Sequence, residues 1–218
     1  IWYLSDSALN IFSNLQLLIN STFVGVFASC VTVFFAMSLA LSFRQLNSLK
    51  PLIIISTSGY AIPGSVISAG LLIGFDFLFD TSITFYGIFG LIICLALRFM
   101  TPAFNYISTS LLNISKSAEH ALATQPSNPL KAFSYFYLPQ MKPAIYLSLM
   151  LVFIESVKEQ PATLLLRPLG FDTLSTKIYN FTSEGQWEMA AGPSLFLVAI
   201  SLIFVYVINK NIDISESK

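Results

Sequence analysis

Residues 17–43 read LLINSTFVGVFASCVTVFFAMSLALSF, a run with no Asp, Glu, Lys, Arg or Pro. A helix rises about 1.5 Å per residue, so about 20 apolar residues cross the hydrocarbon core of a bilayer. This run is long enough to do so. Four further stretches qualify, at about Leu52–Phe75, Ile83–Phe104, Ala144–Val157 and Met189–Ile208. The fourth is short, and the fifth opens on the helix-weakening pair Gly192 and Pro193. The reading is an all-α, polytopic transmembrane bundle of about five spans.

Composition supports it. Of 218 residues, 55% are hydrophobic and 10% charged, against about 25% charged in an ordinary soluble domain. The mean hydropathy is +0.74. So few charges cannot cover a water-exposed surface, so lipid is the solvent for much of the chain. Lys plus Arg and Asp plus Glu both number 11, and no basic excess points to nucleic acid. Cys30 and Cys94 lie in apolar runs, where thiols pack helices. His120 is the only histidine, so a multi-histidine metal site is excluded within the chain. The sequence opens at Ile1 with no signal-peptide pattern, and reads as a piece of a longer protein.

Basic residues in short loops set an orientation. Arg44 and Lys50 separate spans one and two; Lys116, Lys131 and Lys142 separate spans three and four; Lys210 follows span five. The turn after span two offers Asp76 and Asp80 instead. Alternating spans put the three basic clusters on one side, with the C-terminus in the cytoplasm. Arg167 and Lys177 fall outside, balanced by Asp172, Glu184 and Glu188. Five spans suggest a helix preceding Ile1.

Between about Asn105 and Pro143 no span is expected. Two apolar-periodic pieces, Ser115–Thr124 and Asn128–Leu138, flank Gln125-Pro126-Ser127 in a helix–turn–helix pattern on the cytoplasmic side. Phe133, Phe136 and Tyr137 suit a groove on a partner; an amphipathic segment lying on the bilayer accounts for them equally.

This segment resembles the coupling loop of bacterial ABC-importer permeases, written Glu-Ala-Ala, three residues, Gly, nine residues, Ile, one residue, Leu-Pro. Here the same spacing holds His120-Ala121-Leu122, Pro126, Phe136 and Leu138-Pro139. Identity is kept at Ala121, Leu138 and Pro139. His120 replaces the glutamate, with Glu119 one place earlier, and Pro126 replaces the glycine. The resemblance implies that residues 113–142 dock on a cytoplasmic ATP-binding subunit. A longer likeness follows: Lys158-Glu159-Gln160-Pro161-Ala162-Thr163-Leu164-Leu165-Leu166-Arg167-Pro168, then Gly170-Phe171-Asp172-Thr173-Leu174. This resembles the ferric-iron permease subgroup, as do Gly59-Tyr60-Ala61-Ile62-Pro63-Gly64 and Asn128-Pro129-Leu130-Lys131-Ala132-Phe133. The likeness covers nearly the whole chain, from about Asn20 onward. It implies a cell inner membrane permease, most of the C-terminal half of a fused pair of six-helix halves with the first helix missing. The implied partners are an ATP-binding subunit, an extracytoplasmic binding protein and the other permease half.

Charges inside membrane helices cost about 2.5–3.5 kcal/mol each on insertion scales and need partners or water. Glu155, Lys158 and Glu159 stand at i, i+3 and i+4, on one helical face near the outer end of span four. They suit an oxygen-rich lining for a hard cation such as Fe(III); an ion-pair network holding the bundle together is the other reading. Arg98 lies deep in span three. It either pairs with Glu155 or Glu159 or snorkels to the headgroups. In span two, Pro63 predicts a kink and Gly70-x-x-x-Gly74 a close helix approach, serving gating or plain packing. Arg167, Pro168 and the Gly170–Asp172 turn form an outer loop that touches a binding protein or tucks into the bundle.

No glycine-rich loop with a Lys-Ser/Thr pair cradles a phosphate, and no cofactor is expected. ATP hydrolysis is therefore assigned to a separate subunit. A permease for a polyamine, phosphonate, thiamine or anion stands beside the iron reading. An intramembrane enzyme would need His-Glu-x-x-His or paired aspartates, which the sequence lacks; a membrane assembly protein is the remaining class.

Overall fold

The computed structural model describes residues 11–45, 50–79, 87–118 and 128–216. The described residues are helical, with no strands among them. In chain order the helices are α1 (Ile11–Gln45), α2 (Lys50–Thr57), α3 (Gly64–Phe79), α4 (Gly87–Leu112), α5 (Leu138–Lys158), α6 (Pro161–Leu166), α7 (Leu174–Ser183) and α8 (Trp187–Glu216). Four are long and apolar enough to cross a bilayer, and α2 with α3, bent sharply at their junction, passes the same test only as a pair, for up to five spans among the described residues.

α1, α4 and α5 form the centre. α4 offers Leu91, Leu95, Phe99, Ala103, Ile107 and Leu111, every fourth residue and each almost wholly buried. α1 answers with the small seam Val24, Ala28, Thr32, Ala36 and Ala40. Small residues let helices approach closely where lipid gives no hydrophobic drive between them. At Gly25 a Cβ would come within 2.7 Å of Val157 and 2.8 Å of the Phe153 ring. Buried hydroxyls bond back to their own helices, Ser21 to the Leu17 carbonyl at 2.8 Å and Thr32 to that of Ala28 at 2.6 Å. That satisfies them without water. α8 leans on α5 through the stacked Phe153 and Phe204 rings, 3.8 Å apart.

Four expectations change. Span two is not one kinked helix: it breaks between Ala61 and Gly64, and its halves diverge by 116°. A 3-10 turn at Ser58–Ala61 ends in extended Ile62, the conformation that a following proline favours. The Pro63 carbonyl then starts α3 by accepting from Val66 at 3.0 Å. Span three runs on past Phe104 to Leu112. Span four is not short; it reaches back to Phe133, because the expected second arm of the cytoplasmic hairpin passes through a π-turn at Phe133–Tyr137 straight into α5. Finally, a Cβ added at Gly70 or Gly74 would meet nothing within 4 Å, so among the described residues they form no packing seam.

Two anchors fix the ends. Arg44 at the end of α1 donates to the Leu111 carbonyl, and to that of Ile114 at 2.7 Å. A cation there meets the negative end of α4 and its unpaired carbonyls. The Ser110 hydroxyl donates to the Gln140 carbonyl at 3.2 Å. The C-terminal ends of α1 and α4 therefore lie with the N-terminal end of α5.

Candidate functional site

Pro161 stops α5. Its ring removes a donor and would clash with the carbonyl four residues back, so the helix ends at Lys158 and Glu159 is extended. Glu159 accordingly leaves the face it was expected to share with Glu155 and Lys158. Those two pair with each other at 2.8 Å on a partly exposed surface. Glu159 turns inward, its side chain 8% exposed, and meets Arg98 at 3.4 Å. Arg98 stands near the middle of α4, with its guanidinium 5.7 Å from the Phe99 ring.

The second break in the bundle arrives at the same place. Gly64, the first residue of α3, lies so close to Arg98 Nη1 and Glu159 Oε1 that a Cβ would collide with both. Gly59, in the 3-10 turn, lies equally close to the Leu97 carbonyl. Thr101 of α4 donates to the Thr57 carbonyl beside the break. One turn before Arg98 on α4, the buried Cys94 thiol lies 3.4 Å from the Ser68 hydroxyl, which bonds the Gly64 carbonyl at 2.7 Å. A discontinuous span and a helix end thus converge on one ion pair, with the Glu159 side chain 8% and the Arg98 side chain 23% exposed. Among the described residues Arg98 Nε and Nη1 and Glu159 Oε1 make no hydrogen bond. Gly59 and Gly64, the two ends of the Gly59–Gly64 motif, make the close approach that the spacing of Gly70 and Gly74 had predicted for those two.

The outer-loop residues come together as well. Arg167 and Asp172 form an ion pair. The loop between them is tied to α1: Asn20 donates to the Asp172 carbonyl at 2.8 Å, and the Leu174 amide donates to Ser21 at 2.8 Å. Thr173 and Thr176 cap α7 reciprocally. A cavity of about 410 Å³, lined by Asn14, Asn20, Asp172 and Lys177 among others, opens beside this loop.

Of the coupling-loop candidates, Glu119, His120, Ala121, Leu122 and Pro126 lie outside the described residues. Leu138 and Pro139 open α5. Phe136 and Tyr137 are half-buried against the core rather than free, with their rings 5.1 Å apart. The π-turn inserts a residue into the helical register and turns Tyr135 outward instead, 81% exposed. Among the described residues no three of His, Cys, Asp and Glu gather as a metal site.

The fold defines a class: a multi-pass helical membrane protein built like an ABC-transporter permease. It superposes on a chain of the MetNI methionine ABC transporter, in an inward-facing conformation, with a TM-score of 0.72 over 95% of this chain and 96% of that one, at 14% identity. That likeness concerns the fold. In sequence, the chain is 31% identical over 152 residues to the Fe(3+)-transport system permease protein FbpB 2 of Haemophilus influenzae, covering 69% of this chain and 29% of that protein. It is 25% identical over 191 residues to the putative 2-aminoethylphosphonate transport system permease protein PhnV of Salmonella typhimurium, covering 86% and 71%. No family model matches. In sequence the chain is thus similar to permease proteins of ferric-iron and phosphonate transport systems, and it spans under a third of the length of the first of them.

Proposed function

We propose that this chain is the membrane-spanning part of an ATP-driven importer that carries iron(III). The observation that carries the reading is the Arg98–Glu159 pair, held where a broken span meets the end of α5 inside a permease-like fold. Ionisable groups at membrane depth are retained where a path or a switch needs them. Carboxylate oxygen suits a hard cation, and a single carboxylate already paired with Arg98 offers passage rather than tight capture. A binding protein outside the membrane delivers the solute, an ATP-binding subunit in the cytoplasm supplies the energy, and the other permease half completes the path. The Arg167–Asp172 loop and its cavity form the outer contact. Residues 113–142 form the inner one, with the C-terminus in the cytoplasm of an inner membrane. The clustering of Arg44, Lys116, Lys131 and Lys142 at one end of the bundle supports that orientation.

The similarity to a phosphonate permease makes an organophosphonate importer the second reading. One experiment separates the two. The full-length protein is purified with its ATP-binding subunit, reconstituted in vesicles, and given binding protein loaded with Fe(III) or with 2-aminoethylphosphonate. ATP hydrolysis stimulated by the iron form alone is expected. Stimulation by the phosphonate form alone would replace the substrate, and absence of any ATP-binding subunit would remove the transporter reading. In the same assay, replacing Phe136 and Pro139 together abolishes stimulation while the protein stays in the membrane.

A further inference from the structure

The cavity of about 410 Å³ beside the outer loop is built by four parts of the chain: the start of α1, the Gly170–Asp172 turn, α7 and the start of α8. Two of its polar lining groups have no partner among the described residues. Lys177 sets its ammonium 4.7 Å from the Phe181 ring, and no carboxylate pairs with it. Asn14 is 5% exposed, yet its amide makes no hydrogen bond. Buried amides are hydrogen-bonded in nearly all native proteins, so a partner for Asn14 must reach it through the cavity. Asp172 also lines the cavity but is already paired with Arg167. Lys177 is therefore the uncompensated charge, and the site favours an anion.

The position of the cavity says where that anion comes from. It lies where the apolar runs of α1 and α8 begin, at Leu17 and Met189. Trp187 and Tyr179, both exposed, stand at the same end, and such rings collect at the headgroup level of a bilayer. Further along, Ile19 and Phe23 on α1 and Leu195 and Val198 on α8 are exposed and apolar, a surface for acyl chains. A phosphodiester carries the single negative charge that Lys177 lacks. A headgroup with its own ammonium would bring a second cation beside Lys177, whereas a polyol head offers hydroxyls to the amides. We propose that this cavity binds the headgroup of an anionic glycerophospholipid of the phosphatidylglycerol type. The phosphate lies on Lys177, and the hydroxyls bond the amides of Asn14 and Asn20. The lipid thereby braces α1 against α7 and α8. The exposed loop tip at Leu169 lies outside the lining and is left to the outer contact. The inference does not depend on which solute is carried.

The test uses the full-length transporter purified in detergent. Phosphatidylglycerol with a photoreactive headgroup should crosslink to residues 14–20 or 170–181 of the unsubstituted protein, and an excess of the plain lipid should suppress the crosslink. Crosslinks confined to other parts of the chain would overturn the proposal. Lipid retention read by native mass spectrometry should weaken roughly fivefold in Lys177→Gln, the effect of one lysine on an anionic lipid. It should weaken at least as much in Asn14→Asp, which keeps the side chain's shape but repels a phosphate. Lys177→Arg should retain the lipid, and Lys158→Gln, in the exposed pair, should leave binding unchanged. An equal loss in Lys158→Gln would reduce the effect to general surface charge and overturn the site. Equal retention of phosphatidylethanolamine would overturn the choice of headgroup. Displacement of the lipid by free glycerol phosphate at equal concentration would assign the site to a soluble phosphate instead.

Discussion

Among the described spans, α4, α5 and α8 hold Pro102, Pro143 and Pro193 within unbroken helices, whereas the span that holds Pro63 breaks. Pro102 sits inside α4, which runs on without interruption to Leu112. Pro63 sits where α2 and α3 part by 116°. A proline removes one backbone donor in either place, so the difference comes from the neighbours. Pro102 is flanked by side chains that pack α4 from both directions, including buried Phe99, Ala103 and Ile107. Pro63 stands between Gly59 and Gly64, each pressed against α4 where no Cβ fits. The break follows the contact: the chain must bring bare backbone to Leu97, Arg98 and Glu159, and a straight helix with side chains would hold it away.

The largest effect should come from the buried pair. Removing one partner strands a charge in the bundle, a loss of about 3–5 kcal/mol when a buried pair is broken. Arg98→Ala and Glu159→Ala should each abolish uptake and lower the unfolding temperature of the purified transporter. The exchange Arg98→Glu with Glu159→Arg should restore part of both. Two inactive single variants with an equally inactive exchange would mean that the two side chains act separately.

Next comes the break itself. Gly64→Ala puts a methyl group onto Arg98 and Glu159 and should cost about 1–3 kcal/mol, as overpacking does. Gly70→Ala meets open space and should be neutral or stabilise by up to about 1 kcal/mol, the helix preference of alanine over glycine. Thermal unfolding of the two variants side by side checks this. Equal shifts would detach the break from the pair. Arg44→Ala frees the carbonyls of Leu111 and Ile114 and should cost about 1–2 kcal/mol in the same measurement.

The smallest effect separates the two ion pairs on either side of the α5 end. Glu155 and Lys158 are 34% and 48% exposed in their side chains, so Lys158→Ala should change stability by about 1 kcal/mol or less. Uptake should be nearly unchanged. A loss as large as that of Glu159→Ala would place the outer pair in the path and refute the division between them.

The apolar runs made the spans legible, because lipid demands length and hydropathy over local detail. Where reading and structure part, a particular residue explains it. The apolar run of the third span ends at about Phe104, before the polar Asn105, Thr109 and Asn113. The helix nevertheless runs on to Leu112. The apolar run of the fourth span is short, yet the helix takes in both Pro139, just after the π-turn at Phe133–Tyr137, and Pro143 inside α5. Glu159 looked like the third member of a helical face because spacing alone does not reveal that Pro161 ends the helix first. Arg98 was legible as a charge needing a partner. That its partner would be joined by Gly64 depends on the 116° turn, which no local pattern specifies.

The most direct test of the account is accumulation of radioactive Fe(III) by iron-limited source cells with the gene intact, deleted and restored, in a strain without a second iron importer. The account predicts uptake that falls to background on deletion and returns with the gene. Uptake that is unchanged by deletion would contradict iron as the solute.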